Sequence, residues 1–269
     1  MKYLFATALG SALLTSCVVA AEIPRSPIVV ELFTSEGCSS CPPADNLLSK
    51  LRQMGTVEGS EVLILSEHVD YWNRLGWTDR FSSSSLTQRQ ADYARRFHLD
   101  SSYTPQMVID GHAELVGNDE HGVLRQLALA SHSPKPVSVK LSWASEERLQ
   151  IDIDGGSESE GKVLLAISED GLSTQVGSGE NGGRTLRHSG VVRDLREIGS
   201  LRQGQFSAAV KTSRHSDWKT ENLRAIAFVQ KQGHGDVTGA ASIPYSIAKE
   251  KDYSSNATLL ETPPPSATL

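Results

Sequence analysis

Ile28 to Thr34 (IVVELFT) is an almost unbroken β-rich run of the kind found in a strand covered on both faces. Ser35-Glu36-Gly37 interrupts it, and Pro42-Pro43 then suits the first turn of a helix, where a missing N–H costs little. Leu47, Leu48 and Leu51 give that helix one apolar face, and it ends near Gly55. Val62 to Ser66 predicts a second buried strand. Ser85 to Phe97 predicts an amphipathic helix capped by Ser85. Met107 to Asp110 and His112 to Val116 read as a hairpin, and Val123 to Ala130 as a third helix. The order β-α-β-α-β-β-α predicts an α/β domain with a mixed sheet over residues 26–132.

The period changes after Ser133-Pro134-Lys135-Pro136, since neither proline fits inside a helix or a central strand. Val137 to Trp143, Leu149 to Ile153, Val163 to Ser168, Phe206 to Val210 and Ala225 to Gln230 are short runs separated by glycine and serine clusters. They predict a second, mostly β, sandwich-like domain over residues 137–253, joined to the first by a linker at 133–136. Residues 254–269, with Pro263-Pro264-Pro265, read as a disordered tail.

The N-terminus changes the setting. Lys2, an apolar stretch from Tyr3 to Leu14, and the small pair Ala20-Ala21 make residues 1–21 a signal peptide for export. The stretch is too short to span a bilayer, so the mature chain is expected to carry no transmembrane segment. Cleavage after Ala20 or Ala21 would give a soluble periplasmic or secreted protein. Leu14-Thr15-Ser16-Cys17 also fits a lipobox, which would leave a lipid anchor on Cys17. A formal net charge of -6 and a pI near 5.8 offer no basic surface for nucleic acid.

Of three cysteines, Cys17 lies in the signal, so the mature thiols are Cys38 and Cys41. Two CxxC sulfurs are half of a structural zinc set, and no second pair is present. A loop this short constrains little as a staple. A strand followed by CxxC and a helix places Cys38 near a helix N-terminus, where dipole and N–H groups favour thiolate. Cys38 is therefore expected to be the more exposed, attacking thiol, with Cys41 resolving.

The run Val30 to Asp45 (VELFTSEGCSSCPPAD), His68-Val69-Asp70-Tyr71-Trp72, Leu75-Gly76-Trp77, Tyr103-Thr104-Pro105-Gln106 and Gly179 to Leu186 (GENGGRTL) resemble domain-of-unknown-function family 1223. The resemblance spans roughly residues 28 to 245. It implies an exported bacterial protein with a thioredoxin-like domain followed by a β-rich one, and supplies no substrate. Within the thioredoxin superfamily, Pro105 corresponds to a cis-proline lying against the dithiol, with Thr104 beside it in a substrate-holding position. Gly37 stands where a tryptophan is usual, and Ser39-Ser40 lacks the usual proline. Glu31 resembles the family's buried acid but lies seven residues before Cys38, one more than usual. It either tunes the thiols or pairs with a Lys or Arg.

His68 to Phe81 (HVDYWNRLGWTDRF) follows the second strand at its C-terminal end, where α/β folds place ligands. Tyr71, Trp72 and Trp77 either form a substrate-facing wall or pack the loop down. His68 either tunes the thiolate, joins a metal site, or is hydrogen-bonded locally. The glycine-rich loop at 179–183 lacks the ending of a phosphate loop, and Arg184 and Arg187 are candidates to anchor it to the other domain.

Three functions follow. The first is an exported thiol–disulfide oxidoreductase acting, without cofactor, on protein thiols or disulfides or on a redox partner. The second is a copper-binding chaperone using Cys38, Cys41 and His68, since soft thiolates select Cu(I). The third is a non-catalytic assembly factor.

Overall fold

A computed structural model describes residues 25–212 and 214–245. The signal peptide, Cys17, the end of the β-rich segment and the tail at 254–269 lie outside the described residues. Within it, β1 (Ile28–Thr34), α1 (Pro42–Met54), β2 (Thr56–Val57), β3 (Ser60–His68), α2 (Ser84–Arg96), β4 (Gln106–Ile109), β5 (Ala113–Val116) and α3 (Glu120–His132) form the first half. Among the described residues the regular structure of the second half is one 3-10 turn at Thr220–Asn222 and the strands β6 (Ser138–Ser145), β7 (Arg148–Asp154), β8 (Gly161–Glu169), β9 (Leu172–Gln175), β10 (Thr185–His188), β11 (Val191–Leu201), β12 (Gln205–Lys211), β13 (Leu223–Gln230) and β14 (Val237–Pro244). The fold is mostly strand with few helices.

One mixed sheet runs through both halves in the order β14-β13-β8-β11-β3-β1-β4-β5, with β2 paired to β3. β1 and β3 are parallel, while β4 and β5 add antiparallel. The halves meet where Val191 of β11 pairs parallel with Ser66 of β3, and the Ser66 N–H donates to Gly190 O at 2.8 Å. Gly190 has a φ of +64°, and a Cβ there would lie 2.7 Å from Ile64 Cγ1, so glycine is required for this approach. The expected linker at 133–136 carries no regular secondary structure; β8, β11, β13 and β14 beyond it join the sheet of the first half, while β6, β7 and β12 form a sheet of their own.

Strand alternation sorts the apolar side chains into layers. Ile28, Val30 and Leu32 of β1 pack under α1 (Leu47, Leu48, Leu51) and α3 (Val123, Leu127). Val29, with Leu63 and Leu65 of β3, faces the other way, toward Leu86 of α2 and the second half's Leu164, Ala166, Ile226 and Phe228. The remaining residues of β8, Val163, Leu165 and Ile167, pack with Leu149, Ile151 and Ile153 of a three-stranded sheet ordered β12-β7-β6. Each fully buried Leu or Ile in these layers contributes about 1.5–3 kcal/mol relative to exposure. The β9–β10 hairpin belongs to neither sheet and lies along α1, with Ser49 and Ser189 hydroxyls 3.1 Å apart.

Candidate functional site

Cys38 and Cys41 are joined by a disulfide just ahead of α1, for which Cys41 is the N-cap. The chain turns tightly here: the Cys38 N–H donates to Ser35 O and the Cys41 N–H to Cys38 O, both at 3.2 Å. Pro42 and Pro43 offer no N–H to a thiolate, and the first available donors, Ala44 and Asp45, both bond to Cys41 O. Cys38 thus sits before the helix rather than on its first turn.

The expectation that Cys38 is the more exposed sulfur is corrected. Both cysteines are fully buried. A segment more than 140 residues downstream, the tip of the β9–β10 hairpin, is fastened to the main chain around Cys38. Asn181, itself fully buried, donates from Nδ2 to both Glu36 O and Cys38 O at 2.9 Å. Arg184 holds the amide's other end, donating to Asn181 Oδ1 at 2.7 Å. Glu180 accepts from the Ser39 N–H at 3.1 Å. Arg184 therefore acts inside the hairpin tip, and the residues that reach the dithiol segment are Asn181 and Glu180.

Pro105 is buried at the start of β4, and its peptide bond with Thr104 is cis. Register places it at the same sheet end from which the cysteine segment leaves, because Phe33 pairs with Gln106. Gly117 marks how closely the pieces fit: a Cβ there would lie 2.8 Å from Leu32 Cδ1 and 3.2 Å from both Ala44 Cβ and Pro105 Cβ. Trp72 donates from Nε1 to Thr104 Oγ1 at 2.8 Å, and Tyr71 donates to Gln90 Oε1 at 3.2 Å. Trp77 donates from Nε1 to Glu36 Oε2 at 2.8 Å and packs against Gly177 and Gly179. All three aromatics are half-buried, with their polar ends engaged inside the molecule.

His68 and Asp79 are fully buried partners, Nδ1 to Oδ2 at 2.6 Å, and Asp79 also accepts the Glu36 N–H at 2.8 Å. Burial works against the imidazolium, but Asp79's charge and hydrogen bond, with Asp45 and Glu36 nearby, hold the His68 pKa above its usual value. Burial likewise opposes ionisation of Asp79, and His68 with two backbone N–H groups outweighs it, holding that carboxyl low. Asp45, one helical turn past Cys41, is pushed up by burial. His188 lies 3.4 Å from Glu36 Oε1, and its ring stands edge-on to His68 with centroids 4.9 Å apart. Glu36, Asp79, His188 and Asp45 are site residues that sequence reasoning missed; Glu36 reads as a turn residue between Ser35 and Gly37. Among the described residues no three His, Cys, Asp or Glu side chains converge as a metal cage, and His68 Nδ1 is already taken by Asp79.

Glu31 stands apart from the dithiol's helix. It projects to the sheet face covered by α2, accepting from Arg89 Nε and Tyr93 OH, each at 2.5 Å. Burial opposes its charge, but Arg89 wins and holds its pKa low, while burial and Glu31's charge push neighbouring Glu67 well up. Of the two roles open to Glu31, the structure displays pairing with an arginine.

The family described as "Protein of unknown function (DUF1223)" matches residues 29–230. The chain belongs to this family. It is similar to the crystal structure of a structural-genomics protein from Agrobacterium tumefaciens, 30% identical, with 84% of this chain and 97% of that one covered and a TM-score of 0.68. HBP35 of Porphyromonas gingivalis is similar in fold, at 14% identity, 89% and 80% coverage and a TM-score of 0.57. No curated protein matches the chain. No helix among the described residues is long and apolar enough to cross a membrane.

Proposed function

We propose that this DUF1223 protein is an exported thiol–disulfide oxidoreductase whose first half is a thioredoxin-like unit and whose second half is a β-rich domain built onto it. The observation that carries the reading is the Cys38–Cys41 disulfide between β1 and α1, with the cis Pro105 and Ala44 of the first turn of α1 both facing Gly117. A signal peptide at 1–21 would deliver the chain to a compartment where such a pair can cycle.

In one direction a substrate thiolate attacks Cys38 Sγ. The Cys38–Cys41 bond breaks, a mixed disulfide forms, and Cys41 leaves as thiolate. A second substrate thiolate then displaces Cys38. The substrate loses two electrons and two protons, and the protein's pair gains them. In the reverse direction the Cys38 thiolate opens a substrate disulfide and Cys41 resolves it. Thr104 and Pro105 border the sulfurs' sheet end and would align a substrate strand there.

Equilibration in glutathione buffers of graded ratio tests the reading. A single reversible two-electron transition, with loss of exchange in Cys38→Ser, is expected. A pair that stays oxidised in every buffer, in protein that exchanges with no peptide dithiol, would make the disulfide purely structural.

A further inference from the structure

We propose that the tip of the β9–β10 hairpin, residues 178–184, is a plug seated on the dithiol, and that an extended peptide segment bearing the reacting sulfur takes its place. What the uncovered dithiol then does rests on the oxidoreductase reading. The plug itself rests on geometry.

The groups that the plug satisfies are main-chain groups clustered at the first cysteine. Asn181 donates to the carbonyls of Glu36 and Cys38, and Glu180 accepts from the N–H of Ser39. Two acceptors and one donor lie within four residues of a tight turn, and all three are groups that the N–H and C=O of another polypeptide can pair with. The Asn181 side chain is chemically a peptide amide, and Arg184 fixes which of its ends faces the cysteines. A polypeptide can offer the same N–H and C=O groups, so the buried carbonyls of Glu36 and Cys38 need not be left unpaired when the hairpin tip departs.

The plug is also built to move as a unit. Its hairpin is outside both sheets, so withdrawing it breaks no ladder of the core. The tip is closed on itself by Gly183 N–H to Val176 O, Gly182 N–H to Gly179 O and Arg184 N–H to Asn181 O. Its outer fastening is polar: Ser178 Oγ donates to Gly76 O, while Trp77 lies against Gly177 and Gly179. Gly179 has a φ of +74°, and a Cβ there would lie 3.2 Å from Trp77 Cβ, so glycine permits both the turn and the contact. Val176, Leu186 and His188 keep the base of the hairpin buried, so the part that lifts is the tip, and segments held mainly by polar contacts open at lower cost than the core. With Cys38 and Cys41 both fully buried, opening must precede any attack on either sulfur.

The test is the rate at which dithiothreitol, a small reductant with no need of a peptide seat, reduces the Cys38–Cys41 disulfide in the purified protein. Asn181→Ala removes both hydrogen bonds to the cysteine segment and the one from Arg184, and is expected to speed reduction by roughly tenfold or more. Glu180→Ala removes one bond from an exposed residue, spares the fold, and is expected to give a few-fold increase. Equal rates in wild type and Glu180→Ala, together with either equal rates or a folded-state defect in Asn181→Ala, overturn the plug. Peptide exchange read in parallel separates the two claims. Faster reduction in the variants without any exchange with a cysteine peptide keeps the plug and removes the oxidoreductase. Exchange with peptides at rates the variants do not alter does the reverse.

Discussion

His68 and Asp79, 2.6 Å apart with both side chains fully buried, tie the end of β3 to the segment that carries the cysteines, because the same carboxylate accepts the Glu36 N–H. The pair is a charged one inside a protein layer. Such pairs cost little while both partners are present and a great deal when one is removed.

The first prediction concerns that pair and pH. His68's folded pKa is raised above 6.5, so its contribution is complete below that value and is lost as pH rises through the folded pKa. Asp79's is depressed below 3.8, so its contribution is present above 3.8 and is lost as pH falls through the folded pKa. The pair therefore stabilises most between these limits and weakens on the alkaline side. Asp79→Asn should cost about 3–5 kcal/mol near pH 6 and lower the pKa of His68. An NMR titration of the His68 ring checks it, and an unchanged midpoint in the variant contradicts it.

Arg89 carries a second prediction. It is the cation beside Glu31 at 2.5 Å and Glu67 at 3.7 Å, both fully buried. Arg89→Met should cost about 3–5 kcal/mol at neutral pH, because the buried Glu31 carboxylate is left without a counter-charge. In the variant Glu31 should titrate high instead of below 4.5, so ionising it should oppose folding. The stability gap from wild type should then widen as pH rises from about 4.5 to 7. Urea unfolding at the two pH values measures the gap, and a constant gap would mean that Arg89 acts by packing alone.

Sequence reasoning reached the elements that carry a clean hydrophobic period. β1, α1, α2 and the hairpin of β4 and β5 fall within a residue or two of expectation, and α3 extends three residues beyond it at its start. It missed β11, although that strand joins the halves, because VVRDLREIGSL interleaves charges with apolar residues. Those charges are spent on neighbours, Arg196 with Asp194, Glu197 with Lys162, and Arg193 with Glu169 and Asp217. β14 (VTGAASIP) was hidden by small residues that let it pack closely, as at Gly239, where a Cβ would lie 2.2 Å from Val137 O. β9 and β10 have too few apolar residues to show a period.

The dithiol was legible because CxxC between a strand and a helix has a chemical reason. Its cover was not. Asn181 bonds to main-chain atoms, and a polar residue among glycines reads as a plain loop. The GENGGR segment stood out only by family resemblance, and its partner, 143 residues earlier, is fixed by tertiary structure alone.

In the proposed reaction Cys38 exchanges with a substrate sulfur and Cys41 resolves. Cys41→Ser should therefore trap a mixed disulfide, and the direct measurement is mass spectrometry of that variant after incubation with a peptide disulfide, with Asn181→Ala added to clear the approach. A stable one-to-one peptide adduct is expected on Cys38, one that the intact pair resolves and that Cys38→Ser fails to form. An adduct on Cys41 in the Cys38→Ser protein, with none on Cys38 in the Cys41→Ser protein, would reverse the roles. No adduct in either would contradict the oxidoreductase.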